Sequence, residues 1–275
     1  MKFDDVKKLH QKKYRSQFGY YLVEGEHLVL ELQKALKTHT DAGDITLYVT
    51  EEYQGWASQL SMDCTIANLN KKQMAQLSDT KTPQGIIACV PLPKAVEAQA
   101  RAVEAQAKAV EAQAKAVEVQ TKTAELIQPS SQNERCIYLH EVQDPGNLGT
   151  ILRTLAWFGG FRLLLSPNSV DPFNSKVVRA SMGAIFHVPI ELDVELEHLR
   201  TRFKGFAYLD MQGKQIQSSD FANYQCYLFG NEARGVPNDA LSACDADAYT
   251  IVGSGKIDSL NLASAVNICV YQLSI

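Results

Sequence analysis

The sequence predicts an α/β protein in which two layered blocks are joined by a helical repeat. Three observations predict it. Short apolar runs alternate with amphipathic stretches before residue 94, the same alternation resumes after residue 133, and between them one seven-residue unit is written four times. Strand and helix patterns in alternation argue sheets layered with helices.

In the first block "YYLVEG" reads as a strand and "EHLVLELQKAL" as an amphipathic helix. "ITLYVT" follows as a strand, "EEYQGWASQL" as a helix and "GIIACV" as a strand. Together they make an α/β layer of about 90 residues. The chain start carries Lys2, Lys7, Lys8, Lys12, Lys13 and Arg15 against Asp4 and Asp5. Two readings of that charge stay open. It is a solvated amphipathic start, or an RNA-facing patch in which Lys12, Lys13 and Arg15 touch nucleic acid.

The repeat is "AVEAQARAVEAQAKAVEAQAKAVEVQTK", residues 95 to 122. It holds good helix formers and neither Gly nor Pro. Each glutamate stands four residues before a base: Glu97 before Arg101, Glu104 before Lys108, Glu111 before Lys115, Glu118 before Lys122. That order supports a helix by about 0.2–0.5 kcal/mol per pair. The run would span roughly 40 Å. Its bulky apolar residues are Val96, Val103, Val110 and Val117, a thin seam for a coiled coil. A solvated spacer is the favoured reading over a pairing helix. Pro91 and Pro93 on one side and "PSSQN" on the other bound it. The expected domains are therefore 1–93, 94–133 and 134–275.

In the second block strands are expected at "CIYLH", "FRLLL", "HVPIEL", "GFAYLD", "CYLFG" and "YTIV". Helices are expected from Asn147 to Phe158, around Ser175 to Gly183, at Val194 to Phe203, and from Ser259 onward. A parallel sheet with helices on both faces follows, and such sheets bind ligands beyond the carboxyl ends of their strands.

Composition narrows the function classes. The chain has 275 residues, 45% hydrophobic and 21% charged, with net charge -4. That suits a globular protein and carries no global nucleic-acid signal. The cysteines (Cys64, Cys89, Cys136, Cys226, Cys244, Cys269) form no C-x-x-C pair, which argues against zinc, and no metal is expected. Four of them lie in apolar runs, where a thiol acts as a small core residue. The start lacks the apolar segment of a signal peptide, and no run approaches the roughly 20 residues of a membrane span. A reduced, cytoplasmic enzyme or binding protein is expected.

The letters GSGK at 253–256 suggest a phosphate-binding loop. Such a loop needs glycine where Thr250 stands and Ser or Thr where Ile257 stands, so both tests fail. Three other stretches carry more. "HEVQDPGNLGTILRTLAWFG" contains an Asp144-Pro145-Gly146 turn, with Asn147 placed to cap the helix behind it. "LFGNEARGVP" runs a strand into Glu232 flanked by Gly230 and Gly235. "IVGSGKIDSLNLASAV" opens the last helix with Ser259 and Asn261.

Each stretch alone is commonly a tight turn. In order, they resemble the SpoU family of RNA ribose 2′-O-methyltransferases within the SPOUT superfamily. The pattern D-P-x-N-x-G-x-I-x-R falls on Asp144, Pro145, Asn147, Gly149, Ile151 and Arg153. G-x-E-x-x-G falls on Gly230, Glu232 and Gly235, and S-L-N on Ser259, Leu260 and Asn261. "RASMGAIFHVP", with Arg179, is a further family-like element. The match covers 134–275. More loosely, the first block resembles the family's ribosomal-protein-like substrate-binding domain, through Arg15, Glu24, Gly25, Pro83, Gln84 and Gly85. One departure is Ile251-Val252-Gly253, where the family usually carries a proline.

The resemblance implies a carboxyl-terminal trefoil knot that wraps S-adenosylmethionine, a rare topology. It implies cofactor contacts at Gly230, Ile251 and Leu260, with Phe229, Asn231 and Gly253 beside them. It assigns Arg153 to the developing alkoxide, Asn147 to orienting Arg153 or the ribose, and Glu232, Ser259 and Asn261 to holding loops and substrate. Arg179 joins Arg15, Lys12 and Lys13 as an expected RNA contact. Lys256 becomes a solvated lysine or a phosphate contact. The expected partners are RNA, ribosomal before transfer RNA, and a second copy of the chain through its last domain. Two other readings stay open: an RNA-binding protein that kept the fold and lost transfer, and a dinucleotide-dependent oxidoreductase, which lacks its glycine fingerprint.

Overall fold

The computed structural model describes residues 1–37, 44–94, 96, 134–236, 241, 244–257 and 259–275. The spacer lies outside them except for Lys94 and Val96, and Val96 is buried in the apolar core.

The first block opens with two short helices, α1 (Phe3–Lys8) and α2 (Lys12–Phe18). It continues as β1 (Tyr20–Glu24), α3 (Glu26–Leu36), β2 (Thr46–Val49), α4 (Glu51–Ala57), β3 (Thr65–Asn68), α5 (Lys71–Leu77) and β4 (Ile86–Pro91). The sheet order is β1-β4-β2-β3. β4 runs antiparallel to both neighbours, and β2 pairs β3 in parallel. β3 and α5 were not foreseen. β3 is short and mostly exposed, so it has no apolar run to announce it. α5 does carry a signature, because Asn70 and Gln73 form a capping box.

The second block contains β5 (Arg135–Leu139), α6 (Pro145–Phe158), β6 (Phe161–Leu165), α7 (Ser175–Ala180) and β7 (Ile190–Glu191). It continues with α8 (Leu196–Arg202), β8 (Phe206–Gln215), β9 (Cys226–Phe229), β10 (Ala246–Thr250) and α9 (Leu262–Ser274). All six strands are parallel, in the order β10-β8-β9-β5-β6-β7. Buried on both faces, β5, β6 and β9 read as mostly apolar runs, broken in β6 by Arg162, which is buried and paired with Glu134 and Glu191. Residues alternate between the faces. Ile137 and Leu139 pack with α6 and α9, while Cys136 and Tyr138 pack with α8. Burial raises the Cys136 thiol to about 12, so it behaves as a small apolar residue.

Several boundaries differ from the sequence reading, among them β8, which runs past "GFAYLD" to Gln215. The "HVPIEL" strand shrinks to two residues, the "YTIV" strand starts earlier and ends at Thr250, and the last helix begins after its cap Asn261. The chain reverses its course across the sheet between β5 and β9, which are neighbours. At such a switch point the loops leaving the two strands diverge and open a crevice.

The two blocks share one apolar core. α7 lies against β1, and the Tyr21 ring meets Phe173 at 4.9 Å between centroids. A polar seam surrounds this contact. Arg15 donates to Asp171 at 2.9 Å and to the Leu9 carbonyl at 2.7 Å. Ser175 and Arg179 donate to Asp79 at 2.7 and 3.2 Å. A Cβ on Gly183 would stand 2.6 Å from the Glu31 Cβ, so the blocks touch at backbone range. Among the described residues, no helix is long and apolar enough to cross a membrane.

Candidate active site

The loop after β5 turns into α6 on Asp144. Its carboxylate accepts from the Asn147 amide at 2.7 Å, and Pro145 follows at the first helical position. Asp144 is therefore the cap, where the sequence reading chose Asn147. Proline needs no amide partner in that turn, so Asp-Pro is a strong helix start. Asn147 is released for another task. Further along, a Cβ on Gly149 would meet the Ala180 Cβ at 2.4 Å, so glycine lets α6 and α7 cross closely.

The loop after β9 closes on itself. Asn231 and Gly235 exchange backbone hydrogen bonds, each at 2.9 Å. The Asn231 carboxamide accepts from the Ala233 and Arg234 amides at 3.0 Å and donates to the Glu141 carbonyl at 2.7 Å. A Cβ on Gly230 would lie 2.2 Å from the Gly235 carbonyl carbon. Glycine is thus required at 230 for the loop to fold at all, before any ligand is considered.

One hydrogen-bond chain joins all three loops. The Glu232 carboxylate accepts from the Gln143 and Asp144 amides and from Asn147 Nδ2, at 3.2–3.3 Å. Asn147 Oδ1 accepts from Asn261 Nδ2 at 2.8 Å. Asn261 Oδ1 caps α9 by accepting from the Ser264 amide at 3.2 Å. So Asn147, Glu232 and Asn261, far apart in the chain, form one junction at the switch point. α6 is also tied to α9 through Thr154 and Asn267 at 2.5 Å.

Arg153 sits on α6 about 9 Å along the helix from Asn147. It is exposed and makes no hydrogen bond or ion pair with the described residues. Ser259 is exposed as well. Of the expected cofactor contacts, Phe229 and Asn231 are buried, Ile251 is half-buried, and Gly253 and Leu260 are exposed. Buried Phe229 and Asn231 leave only backbone for a ligand. The third loop bares apolar surface at Val252 (60%) and Leu260 (46%), with open space above Gly253. An apolar lip next to accessible backbone fits a flat, partly apolar ligand such as a nucleoside.

The expected RNA contacts divide. Lys12 and Lys13 are exposed, with Lys12 3.9 Å from Asp193. Arg15 is 4% exposed and committed to Asp171, so it braces the seam and does not face RNA. Arg179, half-buried, is engaged with Asp79 and stands 3.8 Å from Glu24, which places it in the seam too. Asp144 and Gln143 were missed as site residues. The Asp-Pro pair could have revealed the first, but nothing local marks the second.

A scan of family models matches residues 134–271 to the SpoU rRNA Methylase family. The chain belongs to that family. Residues 2–88 match the MRM3-like substrate binding domain, so both resemblances read from the sequence are borne out. The 23S rRNA (guanosine(2553)-2′-O)-methyltransferase RlmP of Bacillus subtilis is 29% identical over 99% of this chain and 95% of its own length. The AdoMet-bound rRNA methyltransferase of Sinorhizobium meliloti is 25% identical, with TM-score 0.72, covering 98% of this chain and 93% of that one. A putative RNA methyltransferase of the TrmH family from Porphyromonas gingivalis is also 25% identical, with TM-score 0.73, covering 98% and 96%.

Proposed function

We propose that this chain transfers the methyl group of S-adenosylmethionine to a ribose 2′-hydroxyl of ribosomal RNA. The observation that carries this reading is the Glu232–Asn147–Asn261 junction, whose Asn147 shares α6 with Arg153, an arginine without a partner among the described residues. The cofactor would supply an electrophilic methyl on a sulfonium. The backbone of 229–231, the 251–253 stretch and Leu260 would hold it, inside the trefoil knot typical of such folds.

Arg153 does the protein's share of the chemistry. A ribose hydroxyl is a poor nucleophile at neutral pH. Arg153 stays protonated, so it stabilises the developing alkoxide as a fixed positive charge, and the hydroxyl proton passes to solvent water, which reaches this exposed face of the helix. Asn147 positions the ribose against that charge, and Glu232 and Asn261 hold Asn147 in turn. Ser259 sits at the entrance to α9, where its hydroxyl is free for substrate. Lys12 and Lys13 meet RNA phosphates.

The active assembly is a two-fold dimer through the outer face of α6 and α9. Trp157 (85% exposed), Tyr271 (55%) and Ile275 (78%) stand there uncovered, and a patch of that kind calls for a partner. The blocks divide at 1–93 and 134–275, and the six free cysteines fit a reducing cytoplasm.

The test is methyl transfer from radiolabelled S-adenosylmethionine to ribosomal and transfer RNA, followed by mapping of ribose methylation. Label at one ribose in large-subunit RNA is expected. Binding of S-adenosylmethionine without transfer to any RNA would overturn the enzymatic reading, and a nicotinamide ligand would overturn the family chemistry. Light scattering at micromolar concentration checks the dimer, and Trp157→Glu should yield monomer.

A further inference from the structure

A cavity of about 170 Å³ lies beside the junction, on the opposite face of the sheet from α6. It opens at the carboxyl ends of β5 and β6 and is closed by the start of α8. Its lining includes His140, Glu141, Asn168, Glu195, Leu196 and Glu197. It is too small for a whole cofactor, since such pockets run about 300–1,000 Å³. One planar ring system fits.

The walls have two characters. The His140 imidazole and Leu196 offer faces on which a ring can stack. Glu141, Glu195 and Glu197 offer acceptors. Glu141 is paired with Arg234, whereas Glu195 and Glu197 have no ion-pair partner among the described residues. His140 Nδ1 is shut away from solvent without a hydrogen-bond partner. Burial depresses the His140 pKa, so the ring is neutral at pH 7 and can stack or hydrogen-bond without adding charge. Two lining residues hold a left-handed backbone without being glycine, Glu141 at φ 50° and Asn168 at φ 64°. Such conformations persist where surroundings enforce them. The Gln143 side chain does so, donating to both carbonyls at 3.0 and 2.7 Å. The Gln143 amide meanwhile donates to Glu232, so cavity and junction share one residue.

We infer that this cavity receives a guanine base of the RNA substrate, read through its ring N–H and amino group by the carboxylates at the cavity mouth. Carboxylates repel phosphate and cannot donate, so the occupant must present donors and enter base first. Guanine places two donors side by side, matching the two oxygens of one carboxylate. Uracil has a single ring donor flanked by carbonyls, which a carboxylate repels. Specific RNA recognition of this type splays a base out, stacks it, and reads its edge. The inference rests on the RNA-methyltransferase reading, and it makes Glu195 and Glu197 specificity residues.

The test reads binding separately from transfer. The full chain is titrated with the trinucleotides UGU, UIU (inosine lacks the amino group) and UUU. The His140 ring resonance is followed by NMR, assigned with His140→Gln. UGU should shift it, UIU about tenfold more weakly, and UUU not at all. Glu197→Gln and Glu195→Gln should each erase most of the preference for UGU over UIU while leaving S-adenosylmethionine affinity by calorimetry unchanged. No shift with any trinucleotide, or equal shifts with all three, overturns the inference. If UGU binds selectively and no RNA is ever methylated, the cavity stands and the enzymatic reading falls.

Discussion

The seam between the blocks and the junction of the three loops are both polar, and both gather residues from distant parts of the chain. They differ in how completely the principal arginine is used, although Arg179 Nη1 in the seam is buried without a hydrogen-bond partner among the described residues. In the seam, Arg15 spends its guanidinium on Asp171 and the Leu9 carbonyl, both within 3 Å. At the junction the Glu232 contacts are 3.2–3.3 Å, and Arg153 and Ser259 make no side-chain hydrogen bond among the described residues. An arginine whose donors are spent on buried partners holds structure, whereas one left free on a rigid frame is ready for a ligand. Residue type alone does not tell them apart, since each gathers a carboxylate and lies close to an arginine.

The sharpest way to break this contrast is to remove the buried charge from the seam. Arg15→Ala leaves Asp171 buried and unpaired, and should cost about 3–5 kcal/mol of stability. Thermal or urea unfolding measures it, and loss of RNA binding without loss of stability would return Arg15 to the RNA-contact role. Arg153→Ala should do the reverse. Stability and S-adenosylmethionine affinity should hold, while the methyl-transfer rate falls by about 10²–10³-fold.

A smaller effect is expected at the junction itself. Glu232→Ala hands the exposed Gln143 and Asp144 amides to water, a cost of about 0.5–1.5 kcal/mol. It should weaken cofactor binding by calorimetry more than it lowers the melting temperature. The smallest effect is in the exposed part of the seam. Burial alone would raise the Asp79 pKa, but hydrogen bonds from Ser175 and Arg179 outweigh it and hold it below 3.8. A carboxyl so depressed contributes stability that is complete above its unfolded value and fades as pH falls through the folded one. For a partly exposed pair this is under about 1 kcal/mol. Asp79→Asn should therefore lower the urea midpoint slightly at pH 7, and the difference from the parent should shrink as pH falls below the ordinary carboxylate range.

Most of the sheet was legible because buried parallel strands are largely apolar runs, as in "FRLLL" and "CYLF". β7 was overestimated since an apolar stretch states burial without stating pairing, and only Ile190 and Glu191 find a neighbour. The junction residues were legible as types through their ordered spacing. Their connection was not, because the Asn147–Asn261 bond spans 114 positions. The pairing of Arg15 was illegible for the same reason. A basic run marks charge, and the carboxylate that claims it lies 156 positions downstream.

The Tyr21–Phe173 contact and the backbone approach of Gly183 to Glu31 bear on what the intervening peptide is for. The halves recognise one another through their own surfaces, so a cut between residues 97 and 133 removes a tether and leaves the recognition in place. Two separately made polypeptides, ending and starting on either side of that stretch, should find each other and rebuild the crevice. The covalent bond between them sets their local concentration and leaves their arrangement to the seam.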